Sequence, residues 1–89
     1  MPTKNTILLV DDDPVTRKLI IRLLQDEGQL KTLDSGEECV EKAPEMKPDI
    51  ILLDVFMPGI DGYETCKRLR KIPALAHTKI IMISVKSKP

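Results

Sequence analysis

Residues 6–14 read TILLVDDDP, a short unbroken apolar run that stops abruptly at three aspartates. The run's length and its β-branched ends, Thr6 and Val10, favour a strand buried on both faces, as in parallel sheets. Pro14 suits the first turn of a helix, because its missing N–H has no intrahelical partner there. Asp13 is placed to cap that helix. A second run, IILL at 50–53, also ends on an acid, Asp54. Two apolar strands tipped by carboxylates are the organising pattern of this chain.

The segments between them supply helices. Over residues 15–25, Val15, Leu19, Ile20, Leu23 and Leu24 keep helical spacing, and Gly28 is read as the C′ glycine that ends the helix. Residues 30–33 form a weak second strand. Asp34, Ser35 and Gly36 carry turn and capping chemistry. Residues 37–45 continue as a short helix with Cys39, Val40, Ala43 and Met46 inward, and Pro48 closes that segment. Met57, Pro58, Gly59, Asp61 and Gly62 mark an irregular connection. A third helix is expected from about Tyr63 to Lys71, burying Tyr63, Cys66 and Leu69, and KIIMIS at 79–84 is a fourth strand. The alternation β-α-β-α-β-α-β predicts one α/β domain over residues 1–89, with right-handed crossovers and helices on both faces of a mainly parallel sheet.

Composition narrows the partners. With 14 basic and 14 acidic residues, the chain has no overall electrostatic pull toward nucleic acid or an anionic membrane. Neither is expected as a partner. Hydrophobic content of 42% suits a folded domain, and 89 residues allow one at most. Cys39 and Cys66 lack metal-type spacing and read as free thiols in a reducing cytoplasm. No apolar run approaches spanning length and no charged-then-apolar leader precedes the first strand, so a cytoplasmic location is expected.

The chemistry should lie at the carboxyl ends of the strands, where strand order reverses in an open parallel sheet. If the order is 2-1-3-4, the first and third strands are neighbours, and Asp11, Asp12 and Asp54 converge. Crowded carboxylates either bind protons more tightly or demand a cation. An oxygen-only donor set suits a hard divalent ion, Mg²⁺ best, because Mg²⁺ keeps waters for an incoming phosphate. A carboxylate beside it can act as nucleophile toward a phosphoryl group. On the residues alone, Asp11 and Asp12 stay open between metal ligands and a solvated acidic loop. Asp61 reads as a turn or cap residue.

These segments together resemble the receiver domains of two-component response regulators: ILLVDDDP at 7–14, DIILLDVFMPGIDGYE at 49–64 and IIMIS at 80–84, in order and at the family's spacing. The resemblance implies a flavodoxin-like doubly wound sheet of order 2-1-3-4. It implies that Asp54 accepts a phosphoryl group from a sensor histidine kinase, with Mg²⁺ held by Asp11, Asp12, Asp54 and the backbone carbonyl of Phe56. It also implies that the Ser84 hydroxyl bonds the phosphoryl oxygen. As an enzyme such a domain at most catalyses its own phosphorylation and dephosphorylation.

The sequence departs from the family pattern after Ser84. Family members continue through a fourth helix, a fifth strand and a fifth helix, and that strand ends in a lysine followed by proline. A chain truncated before these elements would leave the fourth strand as an edge and an apolar face uncovered, which predicts a homo-oligomer through that edge or face. Lys86 and Lys88 are the candidate substitutes for the lysine. Two rival readings follow. One is a truncated receiver acting as an assembly module, with weak or no phosphorylation. The other is a haloacid-dehalogenase-like phosphatase using Asp11-x-Asp13, which the MPGIDG segment after Asp54 argues against.

Overall fold

The computed structural model of the chain describes residues 5–84. The elements are β1 (Asn5–Val10), α1 (Pro14–Leu24), β2 (Gly28–Leu33), α2 (Gly36–Met46), β3 (Ile50–Asp54), α3 (Gly62–Leu69), a 3₁₀ turn (Pro73–Leu75) and β4 (Lys79–Ile83). All the strand pairs are parallel, in the order β2-β1-β3-β4. This is the 2-1-3-4 order expected of a flavodoxin-like sheet. Lys86 and Lys88 lie outside the described residues.

Topology explains why β1 is apolar without alternation. The chain leaves β1 toward β2 on one side, then returns past it to place β3 on the other. With both crossovers right-handed, α1 falls on one face and α2 and α3 on the opposite face. A strand in the middle of such a sheet is covered on both sides, and Leu8, Leu9 and Val10 are all fully buried. Leu8, Val10, Ile51 and Leu53 meet Cys39 and Ala43 of α2 and Leu69 of α3 in one cluster, joined by Met57 and Leu75. Burial pushes the Cys39 thiol up to about 12, so it behaves as a small apolar side chain. Cys66, also free, is half-buried against the same cluster.

The amino ends of the strands are stitched by Asp49. Its N–H donates to the Thr6 carbonyl (2.9 Å), its carboxylate accepts the Thr6 N–H (2.7 Å), and its own carbonyl accepts the Lys79 N–H (3.0 Å). One residue thus ties β1, β3 and β4 at their entry.

Three local expectations need correction. Gly28 is not a left-handed helix cap: α1 ends through a turn in which the Glu27 N–H donates to Leu24 (2.9 Å), and Gly28 opens β2 opposite Asn5. A Cβ there would collide with the Asn5 carbonyl oxygen, so close strand approach is what requires glycine. Tyr63 is not buried but 66% exposed. The inward stripe of α3 runs through Gly62, Thr65 and Leu69, and Tyr63 is turned outward. In α1, the sheetward stripe consists of the half-buried Thr16, Arg17, Ile20, Ile21 and Leu24. Val15, Leu19 and Leu23 form a separate outer stripe, 75%, 55% and 70% exposed. Ile81 on the edge strand β4 is also exposed.

The two sets of leucines should respond differently to truncation. Leu53→Ala removes a fully buried side chain and should cost about 3 kcal/mol. Leu23→Ala, on the exposed outer stripe, should change the stability of the single chain, at dilution, by less than about 0.5 kcal/mol. Urea unfolding followed by circular dichroism measures both, and a large loss in Leu23→Ala would show that the outer stripe is covered in solution.

Candidate functional site

The register of the sheet brings the acids together. Val10 pairs with Leu53 across β1 and β3, so Asp11 stands level with Asp54. Both are fully buried, Asp12 is half-buried, and one oxygen from each of the three lies within 4.8 Å of the others. The three carboxylates expected to converge therefore do.

Each strand end turns in the same way. The Asp13 N–H donates to Oδ1 of Asp11 (2.9 Å), and the Phe56 N–H donates to Oδ1 of Asp54 (3.2 Å). These are Asx turns, in which a carboxylate accepts an amide two residues on and sets the direction of the departing chain. The consecutive aspartates then divide. Asp13 caps α1, accepting the Val15 N–H (3.2 Å) and the Thr16 hydroxyl (2.6 Å), as its place before Pro14 predicts. Asp11 keeps its N–H in the ladder to Leu33 (3.1 Å). Its carbonyl accepts from Nη1 of Arg17 (2.8 Å). Arg17 shares the inner stripe of α1 with Ile20, Ile21 and Leu24, a placement that its helical spacing signals and its charge masks.

The connection from β3 to α3 is closed at its base by the Gly62 N–H donating to the Val55 carbonyl (3.0 Å). A Cβ on Gly62 would collide with the Asp54 carbonyl and crowd Val55, so only glycine lets α3 start this near the strand end. Met57 is buried in the core and anchors the loop inward. Asp61 caps α3, accepting the Glu64 N–H (2.9 Å), and the Thr65 hydroxyl donates to its carbonyl (2.7 Å). Asp61 is thus a cap, as expected. Phe56 sits two residues past Asp54, half-buried. Ser84 follows Ile83, the β4 partner of Asp54, and is exposed at the same end of the sheet.

Three carboxylates this close repel one another, and a bound cation relieves that repulsion. The set consists of carboxylate oxygens, with no thiol or imidazole in the cluster. Such donors match a hard divalent ion in type and number.

The family model described as the response regulator receiver domain matches residues 7–89. The chain belongs to that family. This receiver domain is 45% identical over 83 residues to the response regulator GacA of Pseudomonas syringae pv. syringae, covering 89% of this chain and 37% of that protein. It is 39% identical over 80 residues to the histidine-protein kinase BarA of Escherichia coli K12, covering 89% of this chain and 9% of that one. The receiver domain thus spans about a third or less of the length of these curated relatives. Among solved structures it resembles the receiver domain of a sensor histidine kinase from Pseudomonas aeruginosa with a TM-score of 0.86 and 27% identity, covering 94% of this chain and 70% of that chain. That structure has a magnesium ion coordinated in its active site cleft. No helix among the described residues is long and apolar enough to cross a membrane.

Gly62→Ala tests the close approach beneath the receiver site. The forced contact with the Asp54 carbonyl should cost about 2 kcal/mol and move the Asp54 and Val55 amide resonances. Unchanged resonances in a fully stable variant would show that the strand end has room to spare.

Proposed function

We propose that this receiver domain accepts a phosphoryl group from the phosphohistidine of a sensor histidine kinase onto Asp54. Mg²⁺ is held by Asp11, Asp12, Asp54 and the main-chain carbonyl of Phe56. The observation that carries the reading is the convergence of the three carboxylates to within 4.8 Å at the reversal between β1 and β3. Membership of the receiver family supports it.

Asp54 is the nucleophile in this scheme. One of its carboxylate oxygens attacks phosphorus, the new O–P bond forms, and the bond from phosphorus to the donor imidazole nitrogen breaks, leaving its electron pair on that nitrogen. The Phe56 N–H fixes the rotation of the Asp54 carboxylate before attack. Ser84, beyond the β4 residue paired with Asp54, supplies a hydroxyl to a phosphoryl oxygen after transfer. When bound, Mg²⁺ neutralises phosphoryl charge that three carboxylates would otherwise repel. The domain acts in the cytoplasm, without nucleic acid or membrane as partner. It is at most its own catalyst, in phosphorylation and in slow hydrolysis.

A second partner in the proposal is another copy of the chain, across the β4 edge or the uncovered face of α1. The exposed Val15, Leu19, Leu23 and Ile81 support it. Light scattering should give a mass above that of one chain, and a monomer at all concentrations would remove this part.

The phosphoryl reading is tested with acetyl phosphate and Mg²⁺, followed by intact mass and fragment mapping. The wild type should gain one phosphoryl group at Asp54, and Asp54→Asn should gain none. Asp12→Asn or chelation of the metal should suppress the gain. A label on Asp11 would point instead to phosphatase-type chemistry, and no label in any variant would favour assembly without phosphorylation.

A further inference from the structure

The loop at residues 55–61 bears Phe56 and the cap of α3, and it is gripped at two places. Its base is closed by the Gly62–Val55 hydrogen bond. Its outer turn is held from another element altogether: Oε2 of Glu37, in the first turn of α2, accepts the Ile60 N–H at 3.0 Å, 23 residues away in sequence. Gly59, beside it, has φ +77°, and the Glu37 carboxylate occupies the space a Gly59 Cβ would need. The residue before Glu37 grips the same place. A Cβ on Gly36 would collide with the Thr65 hydroxyl and crowd the Ile60 side chain. Two consecutive residues of α2 thus receive Ile60, one through its side chain and one through its amide. The Ile60 N–H is the main cause holding the Glu37 carboxyl below the usual carboxylate range; its own amide adds to it, desolvation opposes it, and the Arg68 charge adds least.

We propose that Glu37 is a positioning residue of the receiver site: by fastening Ile60 to α2 it sets the course of the loop, and with it the Phe56 carbonyl and the Asp54 carboxylate. The consequence for metal binding rests on the function proposed above. The logic is that of a chain fixed at both ends. Phe56 lies between the closed base and the Ile60 clasp, and its N–H bonds Asp54, so a loop released at Ile60 no longer holds either group in one place. Glu37 itself is exposed, and its loss removes little from the core.

Two conservative variants separate the clasp from a bare charge near the amino end of α2, where a carboxylate is also favourable. Glu37→Asp keeps the charge and shortens the reach. Glu37→Gln keeps the reach and an oxygen acceptor while losing the charge. Mg²⁺ titration of the whole 89-residue chain, followed by amide NMR, reads the affinity and the exchange protection of the Ile60 amide. Glu37→Asp should weaken Mg²⁺ about tenfold and deprotect Ile60, whereas Glu37→Gln should stay within roughly threefold of the wild type. The reverse order, or two variants equal to each other, overturns the clasp. A wild type that neither binds Mg²⁺ nor takes up phosphoryl overturns the proposed function and the clasp's role with it. A wild type that binds, beside an indifferent Glu37→Asp, overturns the clasp alone.

Discussion

Two carboxylates are buried side by side because two parallel strands end side by side, and most of the remaining structure accommodates that fact. Asp11 and Asp54 are each fully buried, where isolated charges are costly. The fold answers with amides that turn back onto both of them and with the arginine that grips the Asp11 backbone. The β-α-β connections also bring helix amino termini, with their partial positive charge, to the same edge of the sheet. A cation of the right hardness would complete the same compensation at the three-carboxylate cluster.

Glycine and loop geometry serve the same constraint from the other side. The chain leaving Asp54 must rise clear of the strand ends and still begin α3 close to the sheet. Gly62 allows the return, Gly59 allows the turn, and buried Met57 keeps the loop from lifting off. The helices differ in how firmly they are held: α2 and α3 send fully buried side chains into the core. α1 touches the sheet through half-buried residues and has none fully buried. Its outward stripe makes it the least committed element of the domain.

How much of this could be read from the chain differs by kind of residue. The runs at 6–10 and 50–53 announce central strands because burial on both faces erases alternation, and the acids at their ends announce the edge that matters. Asp13 and Asp61 are legible as caps because capping is local. Tyr63 was misplaced because the inward stripe that holds Leu69 passes through the small residues Gly62 and Thr65, which hydrophobicity alone does not mark as core. Gly28 looked like a helix terminator, since nothing nearby in sequence reveals that Asn5 lies across from it. The grip of Glu37 on Ile60 and the reach of Arg17 depend on elements meeting in space. Ser84 acquires meaning only through the resemblance to receivers.

The stitch at Asp49 carries a consequence for time. Thr6 and Asp49 are 43 residues apart, while β1 and β2 are joined by one short helical connection. Contacts between distant segments form late, since the closure entropy of the longer loop must be overcome before they are rewarded. Sequence separation favours the β1–β2 pair with α1 organising first, which would leave Asp11 and Asp12 at an edge without Asp54 beside them. The site is complete only once β3 lies along β1 and Asp49 bonds Thr6. A chain that has not yet made that contact has its carboxylates on separate strands and no cluster.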